Sequence, residues 1–170
     1  MPTVLILLSA TTAGILDFRW QRIPNWLVLA TLATSLTWHT AVNGLNGLWM
    51  SVAGLLLGTA ILFPLFVVRG MGAGDVKLFG ALGAAVTFKN VLTLFVISAL
   101  IAGVMALVRA LWARALIVTV VNALGMVDRM VRRPLRPHPV LSIDNPNALT
   151  IPFGVSVALA TWVFVFFGKL

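Results

Sequence analysis

Apolar residues run on in this chain for lengths that no water-facing element tolerates. The runs fall at about 2–16, 24–42, 48–68, 76–88, 91–108 and 149–167, and none of them contains an acidic side chain, Asp75 lying just outside the fourth. About twenty apolar residues suffice for a helix to cross a bilayer. Charged residues make up only 9% of the chain, against roughly 25% in a soluble domain. The runs are continuous rather than alternating, so helices, not barrel strands, must satisfy the backbone in lipid. The expectation is an all-α, polytopic membrane protein: one integral-membrane domain over 1–170 with six transmembrane helices. The first run is short unless its helix continues to Trp20. The fourth is also short, and its Gly80 and Gly83 suit close helix packing, as does Gly54-x-x-x-Gly58 in the third.

The segment 111–131 resists a spanning assignment. Its apolar centre is short and holds Asn122 and Gly125, and Arg114 and a basic cluster at 129–136 flank it. It reads as an interfacial helix, followed by an exposed loop rich in proline, so that 110–148 forms a surface insertion. The opening "MPTVLILLSATTAG" lacks a basic n-region and reads as the first span rather than a signal peptide. With six spans, Arg19, Arg22, Arg69, Lys77, Arg109, Arg114, Arg129, Arg132, Arg133 and Arg136 fall on one side, and only Lys89 and Lys169 on the other. The positive-inside rule puts the first group in the cytoplasm and both termini outside it. The formal charge of +8 is then explained by topology and contact with anionic lipid, not by nucleic acid. The chain has no cysteine and two histidines far apart, His39 and His138, so no metal site and no cofactor are expected.

Four aspartates and no glutamate supply all the acid. Asp128 and Asp144 lie in or beside the polar loop and read as solvated. Asp17 ends the first span and Asp75 opens the fourth, so the charge count puts both at the cytoplasmic face. Each has an ordinary explanation: Asp75 as a helix N-cap, Asp17 as the partner of Arg19 or Arg22 at the interface. Ionisable groups at membrane depth are costly, however, and two at the same face point to function. Gly70, Gly72 and Gly74 precede Asp75, and they permit unusual backbone angles or the approach of another backbone. Two carboxyls facing each other across a small gap share a proton. The ionised one can then activate water against an amide carbon while the other protonates the leaving group. A proton-coupled or ion transporter lined by these acids, and an assembly scaffold using them structurally, are the alternatives.

At this point the residues match a family. "GAGD" (Gly72, Ala73, Gly74, Asp75) resembles the GxGD signature of intramembrane aspartyl proteases. "DFRWQRIPN", 17–25, resembles the region of the first catalytic aspartate in type IV prepilin peptidases, and "IPFGVSVAL", 151–159, is similar to the start of their last span. The resemblance covers essentially the whole chain. It implies an aspartic endopeptidase of the bacterial cytoplasmic membrane that cuts the short basic leader of pilin-like precursors. By position it makes Asp17 and Asp75 the catalytic pair, with Gly72 and Gly74 shaping the segment that presents Asp75. Larger members carry a cytoplasmic domain with cysteine motifs and methylate the new N-terminus. Only 18–23 separates the first two runs here, so the peptidase-only form found with tight-adherence (Flp) pili is expected. Around the site, Pro24 is expected to start the second span. Asn25 is expected to cap a helix or bond the loop holding Asp17. Arg19, Arg22, Arg69 and Lys77 are expected to meet anionic lipid or an acidic residue of the substrate, and Trp20 and Trp26 to sit in the interfacial belt.

Overall fold

The computed structural model describes residues 3–114, 119–121, 124–125 and 152–167. Its described elements are α1 (Thr3–Trp20), α2 (Asn25–Val67), α3 (Ala73–Trp112) and α4 (Phe153–Phe167), with no strand among the described residues. Helices α1, α2 and α3 are long and apolar enough to cross a membrane, and α4 is a shorter apolar helix. The first helix does continue to Trp20. Leu111 and Trp112 complete α3 rather than opening a new helix. Most of the expected interfacial segment, with the basic cluster at 129–136, Asp128 and Asp144, lies outside the described residues.

A straight helix of 43 residues, the length of α2, would reach about 64 Å, twice the hydrocarbon thickness. Neither α2 nor α3 is straight. Gly44 (φ 59°, ψ −145°) interrupts α2, and Thr87 (φ 66°, ψ 168°) interrupts α3. The chain folds back at each. A Cβ added at Gly47 would collide with the carbonyl of His39, eight residues earlier, which a continuous helix holds about 12 Å away. A Cβ added at Gly83 would lie 3.1 Å from Val91 Cγ2 across the second break. Each long helix is therefore two antiparallel limbs joined by a one-residue reversal.

The second limb of α2 packs on the first limb of α3 through small residues. Gly54 and Gly83 meet backbone to backbone, so that a Cβ on either would strike the other's carbonyl. Gly58 lies against Phe79 and Gly80. Lipid removes most of the hydrophobic drive between helices, and such close approach supplies van der Waals contact in its place. The first limb of α3 is the centre of the molecule. Every residue from Leu78 to Val86 is buried, which accounts for its high content of glycine and alanine. Ser51 donates to the Ala84 carbonyl at 2.8 Å, and His39 Nε2 lies 2.9 Å from the Ala85 carbonyl, so that nitrogen carries the proton. Other hydroxyls turn back on their own helices, as Thr31 does to Leu27 and Ser98 to Leu94, and among the described residues no buried side-chain donor is left unpaired.

Helix α1 packs mainly along α4, antiparallel to it. Trp162 donates to Thr11 Oγ1 at 2.9 Å, an added Cβ at Gly14 would sit 2.8 Å from Ala158 Cβ, and Asp17 meets Gly154. Helix α4 in turn packs on α3, with Phe153 tilted against Phe79 at 6.5 Å between ring centroids. It thus fixes where α1 stands relative to the centre.

Candidate active site

Helix ends decide the position of both aspartates. α1 runs on until Trp20, and Gln21 then leaves the helix at φ 49°. This puts Asp17 one turn from the helix end, on the face turned toward α4. Its side chain is buried at 6% exposure, and its Oδ2 accepts the Gly154 N–H at 2.7 Å. Its partner is therefore the start of α4 and not Arg19 or Arg22, which are exposed. The Arg19 guanidinium instead lies 5.3 Å from the centre of the Trp20 ring.

Asp75 stands at the other helix start, but not as its N-cap. Gly72 is the N-cap residue of α3, with φ −75° and ψ 150°, and Asp75 occupies the third helical position. From there its carboxyl accepts the Gly72 N–H, the backward half of a capping box. Asp75 and Asp17 lie close enough for their charges to act on each other. Residues far apart in the chain have been brought to one place by α4.

The expected glycine conformations are not used. Gly70, Gly72 and Gly74 have ordinary φ, and in this loop Arg69 takes the left-handed region at φ 57°. At Gly72 and Gly74 an added Cβ would meet its neighbours only at about contact distance. An added Cβ at Gly74 would come to 3.4 Å from Ile23 Cβ, and one at Gly72 to 3.4 Å from Asp75 Oδ2. The 21–24 loop thereby seats on the start of α3. Pro24 is the N-cap residue of α2, one position before its expected place, and Asn25 begins the helix. Asn25 meets neither of its expected partners, its Oδ1 lying 3.5 Å from Lys77 Nζ, between the starts of α2 and α3. Lys77 and Arg69 are exposed at the same end.

Gly154 escaped the sequence reading as a site residue. The "IPFG" stretch signalled it, but the partner lies in another helix and no periodicity connects the two.

Two carboxyls in mutual reach, each also holding a backbone N–H, form an arrangement able to bind a water and pass its proton. Among the described residues no three His, Cys, Asp or Glu side chains gather as metal ligands would.

Residues 4–107 match the model of the type IV leader peptidase family. The stretch includes Asp17, Asp75 and most of α1 to α3, and excludes α4. The chain is 27% identical over 165 residues to a prepilin leader peptidase/N-methyltransferase of Xanthomonas campestris pv. campestris, covering 91% of this chain and 45% of that protein. The chain thus spans a little under half the length of that relative. No solved structure matches. With more than half of its residues matched, the two aspartate-bearing helix ends among them, the chain belongs to the type IV leader peptidase family.

Proposed function

We propose that this protein is a membrane-embedded aspartic endopeptidase that removes the leader of type IV pilin-like precursors at the cytoplasmic face. The observation that carries the reading is that Asp17 and Asp75 stand at the same end of the bundle, near enough for the charge of Asp17 to act on Asp75. Asp17 is buried against the Gly154 amide and Asp75 is anchored on Gly72, and each lies within reach of the other's charge. Family membership supports a leader peptide as substrate.

In this reading the two carboxyls hold one proton between them, because like charges at short range resist joint ionisation. The ionised carboxylate draws a proton from a water as the oxygen attacks the scissile carbonyl carbon. The protonated partner donates to the carbonyl oxygen, and a proton returns to the departing amine as the C–N bond breaks. Gly72 and Gly74 keep side chains away from the approach to Asp75. Arg19, Arg22, Arg69 and Lys77 rim the site and fit anionic lipid headgroups or an acidic residue of the precursor.

The reversals at Gly44 and Thr87 support a six-span topology: they divide α2 into two limbs of ordinary crossing length, while the first limb of α3, 73–86, is as short as its apolar run. The basic residues of the loops after the first and third spans favour a cytoplasmic site, with both termini outside in the bacterial inner membrane. Four residues, 21–24, link α1 to α2. That is too few for the cysteine-bearing domain of larger members, which supports a peptidase without methyl transfer of the kind that serves Flp pili.

The test is co-expression with candidate precursors. Asp17→Asn and Asp75→Asn should each abolish conversion of precursor to mature pilin on a gel, while membrane levels of the enzyme stay unchanged. Normal processing by either variant would remove the paired-aspartate mechanism.

A further inference from the structure

Position 154 raises a question of its own. Gly154 is the second residue of α4, and its φ is not in the left-handed region. Alanine would be the better helix former there by about 1 kcal/mol. Conformation therefore does not call for glycine, but space does. A Cβ at 154 would lie 2.8 Å from Asp17 Cβ, 2.9 Å from its Oδ2 and 3.1 Å from its Cγ. No other neighbour comes as near. The missing side chain is a slot filled by one carboxyl group.

The slot is also fixed to the second aspartate. Phe153, next in the chain to Gly154, lies against Phe79. Phe79 stands four residues after Asp75, one turn along α3, and is fully buried, with Phe95 edge-on at 6.1 Å on its other side. A chain of packed groups thus runs from Asp75 through Phe79 and Phe153 to the Gly154 amide and Asp17. By contrast α1 has little contact with α2 or α3.

We infer that Gly154 is a positioning residue for hydrolysis: its N–H holds Asp17 Oδ2, and its lack of a side chain lets that carboxyl reach the place where it faces Asp75. This rests on the peptidase reading. Hydrogen bonding at one oxygen sets the rotation of the carboxyl plane, so the other oxygen is aimed while the bond lasts. In this role Gly154 acts through Asp17, the group its N–H holds.

A packing role and a positioning role differ in what they move. The experiment uses the full chain, purified and assayed on a precursor that the wild type cleaves. Gly154→Ala should lower kcat by about tenfold to a hundredfold, the scale of a misplacement of about 1 Å at a reacting group, with KM within about twofold. The control is the double exchange Gly14→Ala/Ala158→Gly, which moves one methyl across the same α1–α4 seam. The remaining contacts of the new Cβ, 3.4 Å to the Gly154 carbonyl and 3.6 Å to Val155 Cα, are tolerable. Its kcat should stay within about threefold of wild type, since it leaves the Asp17 contact intact. Should Gly154→Ala fail to fold, replacing the 153–154 amide by an ester deletes the donor without adding a side chain. The same loss of kcat at constant KM is expected, because hydrogen bonds to charged groups are the stronger ones.

Wild-type kcat in Gly154→Ala or in the ester would overturn the inference. So would an equal loss in the methyl exchange, which would make the seam, and not residue 154, the cause. Wild-type protein that cleaves no precursor, or an active Asp17→Asn, would instead bring down the peptidase reading, and this inference with it.

Discussion

Lys77 and Asn25 show how little some contacts near a site weigh. Their atoms are 3.5 Å apart and exposed, at the outer limit of a hydrogen bond. Lys77→Met should therefore change the thermal midpoint by less than about 2 °C, as surface substitutions away from buried features usually do. A larger drop, measured by unfolding of the purified protein, would give this contact between α2 and α3 a structural role. The two aspartates behave differently, and they were legible before any fold was known. Acid is scarce in this chain, and the two acids that sit at span ends must be explained. Their true partners were not legible. Asp17 bonds a backbone amide 137 residues away, and Asn25 a side chain 52 residues away. Neither distance leaves a local pattern. The glycines before Asp75 invited a conformational reading, which their ordinary φ values do not support.

Conformation does decide matters within the helices, where the two reversals solve one problem with different residues. Gly44 and Thr87 share a positive φ with an extended ψ, a region that essentially only glycine occupies without strain. Thr87 should carry strain of about 1–3 kcal/mol. Thr87→Gly loses part of that gain to the greater freedom of the unfolded chain, and a net stabilisation of about 1 kcal/mol is expected. Gly44→Thr should cost a similar amount in the opposite direction. Thermal midpoints of both variants in one detergent check the pair, and an unstable Thr87→Gly would mean that the threonine side chain holds the turn. The apolar runs already suggested limbs here. Asn43, Asn46, Lys89 and Asn90 mark the polar gaps between runs. What they did not show is how tight the turns are: one non-helical residue suffices in each, with Gly47 after the first turn and Gly83 before the second letting the limbs close.

On the scale of the molecule, these turns sort the chain into two ends. The helix ends bearing Asp17 and Asp75, the 21–24 loop and the start of α4 gather at one. Gly47, Thr87, Lys89, His39 and the two asparagines Asn43 and Asn46 line a cleft of about 450 Å³ at the other. Arg19, Arg22, Arg69 and Lys77 belong to the first end and Lys89 to the second, so the fold separates charge as the positive-inside rule would have it. That separation can be read directly, because a chain without cysteine accepts single reporters. Gln21→Cys and Asn46→Cys alter no charge, and both positions are exposed. A membrane-impermeant maleimide added to intact spheroplasts should label Asn46→Cys and leave Gln21→Cys untouched until the membrane is opened. Labelling of both from the same side would contradict the reversal at Gly44 as a membrane turn. Labelling in the opposite order would put the aspartates outside the cell. A leader that stays in the cytoplasm could not reach them there, so orientation and proposed substrate stand or fall on the same pair of reporters.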